Sequence, residues 1–152
     1  MKYKGEKNYK HGTKENIGVL ITNLGTPDKP ETKELRIYLK EFLSDPRAIE
    51  VPKFIWQLIL RLVILNLRPK KVAKLYKSVW KKEGSPLLVM LEKQKKGIIK
   101  ILKKKRKNIK IEIGMRYGNP NIKSGLEKLK EQKCRKILIL PLYLQYCAVT
   151  TG

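Results

Sequence analysis

Ile17-Gly18-Val19-Leu20-Ile21-Thr22-Asn23 is a short apolar run that stops at Gly25-Thr26-Pro27. A run this short, bounded by Gly and Pro, predicts a buried strand followed by a turn. Thr32 is placed to cap a following helix. In that helix Leu35, Tyr38, Leu39, Phe42 and Leu43 recur at helical spacing, and Pro46 lies just beyond its end. Phe54 to Leu67 is apolar nearly all round, so periodicity alone does not type it; its length, Leu content and Trp favour a helix. Lys70 to Trp80 reads as a helix with Val72, Ala73, Tyr76, Val79 and Trp80 on one face. Gly84-Ser85-Pro86 breaks the chain. Leu88, Leu91, Ile98, Ile99 and Leu102 then mark an amphipathic helix that runs into Lys103-Lys104-Lys105-Arg106-Lys107.

Ile109 to Met115 alternates apolar and polar positions and predicts a strand, with a turn at Asn119-Pro120. Asn121 to Lys133 follows as a helix with Ile122, Leu126 and Leu129 inward, and Ile137-Leu138-Ile139-Leu140 reads as a fully apolar strand core. Long helical connections between apolar strands require a parallel sheet with helices on its faces, so the fold class is α/β. Ligands in such sheets bind beyond the carboxyl ends of the strands. Those ends are Asn23 to Thr26, Arg116 to Gly118, and Tyr143 to Tyr146. Residues 1–16 are polar and Lys-rich and are expected to form a flexible basic tail, leaving 17–152 as the domain. The stop at Gly152, a few residues after a strand, is the expected signature of a truncated domain.

The 152 residues are 41% hydrophobic, a globular composition with enough chain for one core. Charge sharpens the picture: 36 Lys and Arg stand against 13 Asp and Glu, a net +23. Such a surface attracts nucleic acid, anionic lipid or small acids, but Lys spread through every element also reads simply as solvated faces. Cys134 and Cys147 have no Cys-x-x-Cys spacing and are too few for a disulfide framework, which favours a reducing cytoplasm. The chain lacks a secretory-type apolar leader at its start, and Phe54 to Leu67 is too short to cross a bilayer and is interrupted by Arg61.

Candidate chemistry is sparse. Gly25 lacks the further glycines and Lys-Ser/Thr pair of a phosphate loop. The basic run at Lys103 to Lys107 sits at a helix end, where cations complement the dipole, and no stacking aromatics accompany it, so a nucleic-acid partner is not expected. Arg116-Tyr117 closes a strand and is either a surface charge or a ligand contact. His11 is the one histidine and lies in the tail. The body of the chain therefore has no Ser-His-Asp arrangement, no imidazole metal site and no proton-transfer group titrating near neutral pH.

Several longer words carry a resemblance. Thr22-Asn23-Leu24-Gly25-Thr26-Pro27-Asp28, Leu39-Lys40-Glu41-Phe42-Leu43-Ser44-Asp45-Pro46-Arg47, Ala73-Lys74-Leu75-Tyr76, Glu83-Gly84-Ser85-Pro86, Met115-Arg116-Tyr117-Gly118 and Pro141-Leu142-Tyr143-Leu144-Gln145-Tyr146 occur in the order and spacing of bacterial ferrochelatases. From about Ile17 to Gly152 the chain resembles the N-terminal half of that family, which inserts ferrous iron into protoporphyrin IX in haem biosynthesis. The resemblance implies the first of two similar Rossmann-like, chelatase-type domains and one wall of a porphyrin cleft. It maps porphyrin contacts onto Leu24, Arg68, Tyr76, Ser85, Arg116 and Tyr117. It implies that the metal-handling His and acidic residue lie in a second, C-terminal domain beyond Gly152, so no catalytic or metal-binding residue is expected here and the isolated chain is expected to be inactive. It also offers a second reading of Phe54 to Leu67: a core helix, or an apolar lip touching membrane at the cleft mouth of a cytoplasmic enzyme.

Departures are visible. Leu144 stands where the family usually has Pro, and Cys147-Ala148-Val149 where it has Ser-Cys-Ser or Ser-Ala-Ser. Some ferrochelatases place an iron–sulfur ligand in this stretch; that position is Ala148 and Cys147 is one place early, so no cluster is expected. These changes fit relaxed constraint, which keeps open a non-catalytic porphyrin-binding or relic fragment, and a basic protein for nucleic acid or anionic lipid, as alternatives.

Overall fold

The computed structural model describes residues 12, 15–105, 108–143, 145, 147 and 149–150. His11, most of the basic tail, Arg106, Lys107, Leu144, Tyr146, Ala148 and Gly152 lie outside the described residues. The chain order is β1 (Asn16–Thr26), α1 (Thr32–Leu43), α2 (Lys53–Ile59), a π-helical turn (Leu60–Ile64), α3 (Leu65–Val79), α4 (Pro86–Lys105), β2 (Ile109–Gly118), α5 (Ile122–Glu131) and β3 (Cys134–Pro141). The first strand thus takes in Asn16 from the expected tail. The sheet is β2-β1-β3 with both pairings parallel, so the α/β class with helices packed on a parallel sheet holds.

Alternation along the central strand sorts the core into two layers. Val19 and Ile21 of β1 meet Ile111, Ile113 and Met115 of β2 and Leu91 of α4 on one face. Leu20 points the other way, onto Leu129 of α5 and Cys134. Leu20, Ile21, Leu91, Met115 and Leu129 are essentially inaccessible, and each is worth roughly 1.5–3 kcal/mol of burial. A third cluster joins Leu43 of α1 to Leu60 and Leu65 across the π turn.

Several expectations need correction. Gly25 does not begin a turn: β1 continues through it to Thr26, in register with Tyr117 and Gly118. Thr32 is the first helical residue rather than the cap, and Glu31 at the cap position makes no side-chain bond there. Val79 is exposed and Trp80 falls after the end of α3, because that helix offers only a narrow inner stripe around Leu65, Pro69 and Ala73. Asn121 caps α5 instead of opening it, its Oδ1 accepting the Ser124 N–H at 2.8 Å. The apolar run of β3 is also not a buried core. Ile137, Leu138 and Ile139 stay open to solvent, since β3 is an edge strand paired only with β1 and α5 covers little beyond Cys134.

Pro69 lies inside α3, where it has no N–H to give the carbonyl four residues back. That carbonyl belongs to Leu65, and Arg36 Nε of α1 donates to it at 3.0 Å. Trp56 Nε1 donates to the Leu43 carbonyl at 2.6 Å, so α1 is stitched to the helical segment beside it at two points.

Candidate functional site

Chain order dictates where the ends lie. A short link joins α4 to β2, so α4 runs antiparallel to the sheet and its first turn returns to the carboxyl ends of the strands. Ser85 starts that turn: its Oγ accepts the Leu88 N–H at 3.2 Å, and the residue is buried. Ser85 therefore acts as a helix cap at the expected end of the sheet.

The carboxyl end of β2 carries the densest polar cluster. Arg116 Nη2 donates to Asp45 Oδ2 at 2.7 Å, and the Tyr117 hydroxyl donates to the same oxygen at 2.9 Å. The Arg47 backbone N–H takes Asp45 Oδ1 at 2.9 Å. The guanidinium also sits 5.5 Å from the centre of the Tyr117 ring. Burial works against ionising Asp45, but the Arg47 N–H, the Tyr117 hydroxyl and the Arg116 charge outweigh it and lower its pKa below the ordinary aspartate value. Burial likewise tends to lower the Arg116 pKa, and hydrogen bonding to Tyr117 and Asp45 reverses that and raises it. Burial, reinforced by the bond to Asp45, pushes the Tyr117 phenol up. The site is a fixed cation–carboxylate pair with a protonated phenol, lining an open cleft with Glu41 and Ser44.

Aromatic packing holds it in place. Phe42 meets the Tyr117 ring edge-on at 5.1 Å, and Tyr38 stacks on Phe42 at 6.3 Å. The Tyr38 hydroxyl donates to the Gly25 carbonyl at 3.3 Å and lies within electrostatic range of Tyr76. Burial raises the pKa of Tyr38, and that of Tyr76 against the opposing influence of Tyr38, so both phenols are neutral at physiological pH. Asn23 Oδ1 accepts the Leu24 N–H at 2.8 Å and Asn23 Nδ2 reaches the Leu142 carbonyl at 3.3 Å, which ties the ends of β1 and β3 together. Beyond β3, Tyr143 lies within electrostatic range of Arg116, and burial raises its pKa too.

Of the sequence-derived candidates, Arg116 and Tyr117 share one carboxylate, and Tyr76 lies within electrostatic range of Tyr38, whose hydroxyl bonds the Gly25 carbonyl beside Leu24. Leu24 is half-buried at the end of β1, and Ser85 caps α4. Arg68 is exposed on α3. Asp45, Tyr38 and Tyr143 complete the arrangement and were not singled out from sequence. Asp45 is 71 residues from Arg116, a distance no local spacing rule spans. Among the described residues no group of three or more His, Cys, Asp or Glu is arranged to hold a metal ion. The cluster can bind and orient an anion beside apolar and aromatic surface; it contains no group poised to accept a proton near pH 7.

The sequence profile of the family described as ferrochelatase matches residues 16–152. The chain is 53% identical over its whole length to a ferrochelatase of Thioalkalivibrio sulfidiphilus, of which it covers 42%. It is 54% identical to ferrochelatases of Alcanivorax borkumensis and Marinobacter nauticus, covering 45% and 41% of them. The chain thus spans less than half the length of the curated relatives it matches.

Proposed function

The chain belongs to the ferrochelatase family, and from that premise we propose that it supplies the porphyrin-binding wall of an enzyme inserting Fe2+ into protoporphyrin IX. The observation that supports this most directly is the Arg116–Asp45–Tyr117 cluster at the carboxyl end of a parallel strand, beside Leu24 and the Tyr38–Tyr76 pair. A porphyrin is a flat apolar ring carrying anionic propionates. Guanidinium and hydroxyl donors suit its carboxylates, and aliphatic and aromatic side chains suit its faces. Ser85, Arg68 and Tyr143 stand as further contacts on the same reading.

Iron is a substrate in this reaction, and two pyrrole protons must leave before it enters. The tyrosines here hold their protons and Asp45 is engaged by three donors, so this chain's residues bind and orient while proton removal falls to the remainder of the enzyme. The same reading assigns no iron–sulfur cluster to this chain, because Ala148 offers no ligand where a Cys would be needed. It places the protein in the cytoplasm, with the exposed side chains of Phe54, Leu58 and Leu62 as a peripheral membrane contact.

Titrating the chain into protoporphyrin IX and following the Soret band tests the proposal. Saturable binding that weakens in Arg116→Ala, with no iron insertion by the chain alone, is the expected result. Absence of binding to the folded chain overturns it.

A further inference from the structure

Every bond that Asp45 makes in the cleft holds another group in place. One carboxylate oxygen holds both the Arg116 guanidinium at 2.7 Å and the Tyr117 hydroxyl at 2.9 Å; the other takes the Arg47 N–H at 2.9 Å. Its side chain is 12% exposed, against 31% for Arg116. The carboxylate is therefore the inner member and the guanidinium the outer one. The ring beneath is fixed as well, with Phe42 edge-on to Tyr117. An arginine side chain free in solution carries large rotamer entropy, about 2 kcal/mol, which a ligand would have to suppress on binding. Here the Asp45 bond and the Tyr117 ring have already suppressed it.

We propose that Asp45 is a positioning residue that aims the Arg116 fork at a carboxylate of the bound ring, and so sets selectivity for acidic over uncharged porphyrins. The inference rests on the porphyrin-binding reading above. Asp45 acts through Arg116 and touches no substrate itself. It also offsets one unit of the local positive charge, so that recognition depends on the geometry of the fork rather than on bulk attraction to a chain of net +23. Glu41 and Arg47 border the same cleft, so that together with Asp45 and Arg116 its formal charges balance.

The test compares a porphyrin dicarboxylate with its dimethyl ester by Soret titration on the full chain. The wild type is expected to prefer the free acid. Asp45→Asn is expected to lose that preference by roughly tenfold, the order of one charge-assisted hydrogen bond, with affinity for the acid falling more than affinity for the ester. Arg116→Lys keeps the charge and drops the planar fork, and is expected to lose the preference as well, whether or not Asp45→Asn folds. Equal losses for acid and ester in Asp45→Asn would mean a merely structural role, and full discrimination in either variant would likewise overturn the proposal. Wild-type binding without any acid preference sinks this inference and leaves the porphyrin reading standing; no wild-type binding of either compound sinks both.

Discussion

Gly25 of β1 lies in register with Tyr117 of β2 at φ +127°, and a Cβ built on Gly25 would fall on the Tyr117 carbonyl oxygen. Both effects exclude a side chain: the backbone angle is one that L residues rarely adopt, and the space is occupied by main chain that cannot swing aside. The strand end that presents Leu24 is thus built directly against the one that presents Arg116. Gly25→Ala is expected to cost about 2–4 kcal/mol in chemical denaturation, from strain plus a forced separation of the two strands. A loss under about 1 kcal/mol would show that the pair can part freely, and the shared geometry of the site would then need another cause.

Acid stability should depend on two carboxylates. Asp45 and Glu112 both have lowered pKa values: burial opposes ionisation in each, and the Arg47 N–H, Tyr117 and Arg116 for Asp45, or Lys95 and Gln132 for Glu112, overcome it. The unfolded chain then binds more protons than the folded one at pH values near and below the ordinary 3.8 and 4.5. Each group contributes stability that is present above its ordinary value and lost as pH falls through its lowered one. Denaturation midpoints measured downward from about pH 6 should fall along this limb, and Asp45→Asn with Glu112→Gln should flatten it. An unchanged limb in the double variant would refute the assignment.

The layered fold was legible because its signals are local and periodic. Ile17 to Asn23 and Ile109 to Met115 are short apolar segments separated by long helical ones, and that alone demands parallel pairing. What could not be read were features created by distance. Asp45 meets Arg116 only after the chain has folded, and the exposure of Leu138 depends on which elements cover the edge strand. Hydropathy ranks Leu138 and the inaccessible Leu20 alike; position in the sheet separates them. Phe54 to Leu67 was ambiguous for the same reason, since an apolar helix looks identical in sequence whether protein or something else covers it.

The structure leaves that helical segment largely uncovered. Phe54 is 85% exposed, Leu62 64% and Leu67 65%, and Lys53, Arg61 and Arg68 lie among them. An exposed apolar ridge with basic neighbours favours anionic lipid over water. Replacing Phe54 and Leu62 by Ser removes no core contact, so stability should change by no more than about 0.5 kcal/mol. Co-sedimentation with vesicles containing phosphatidylglycerol should fall markedly, and added salt should weaken what remains. Equal sedimentation of wild type and variant would argue against membrane contact at this ridge.

Arg36 and Pro69 make the sharpest energetic test because each explains the other. Pro69 cannot donate to the Leu65 carbonyl, and Arg36 Nε fills the vacancy at 3.0 Å. Arg36→Leu should therefore strand a carbonyl in a largely buried position, at a cost of about 1–3 kcal/mol. In a Pro69→Ala background the helix regains its own N–H donor, and the same Arg36 substitution should cost far less. A double-mutant cycle by urea denaturation then returns a coupling of about 0.5–2 kcal/mol, with the sign that makes the second substitution cheaper. Additivity would mean that Arg36 stabilises the helix pair through its stem or its charge, and that the Leu65 carbonyl is satisfied by solvent.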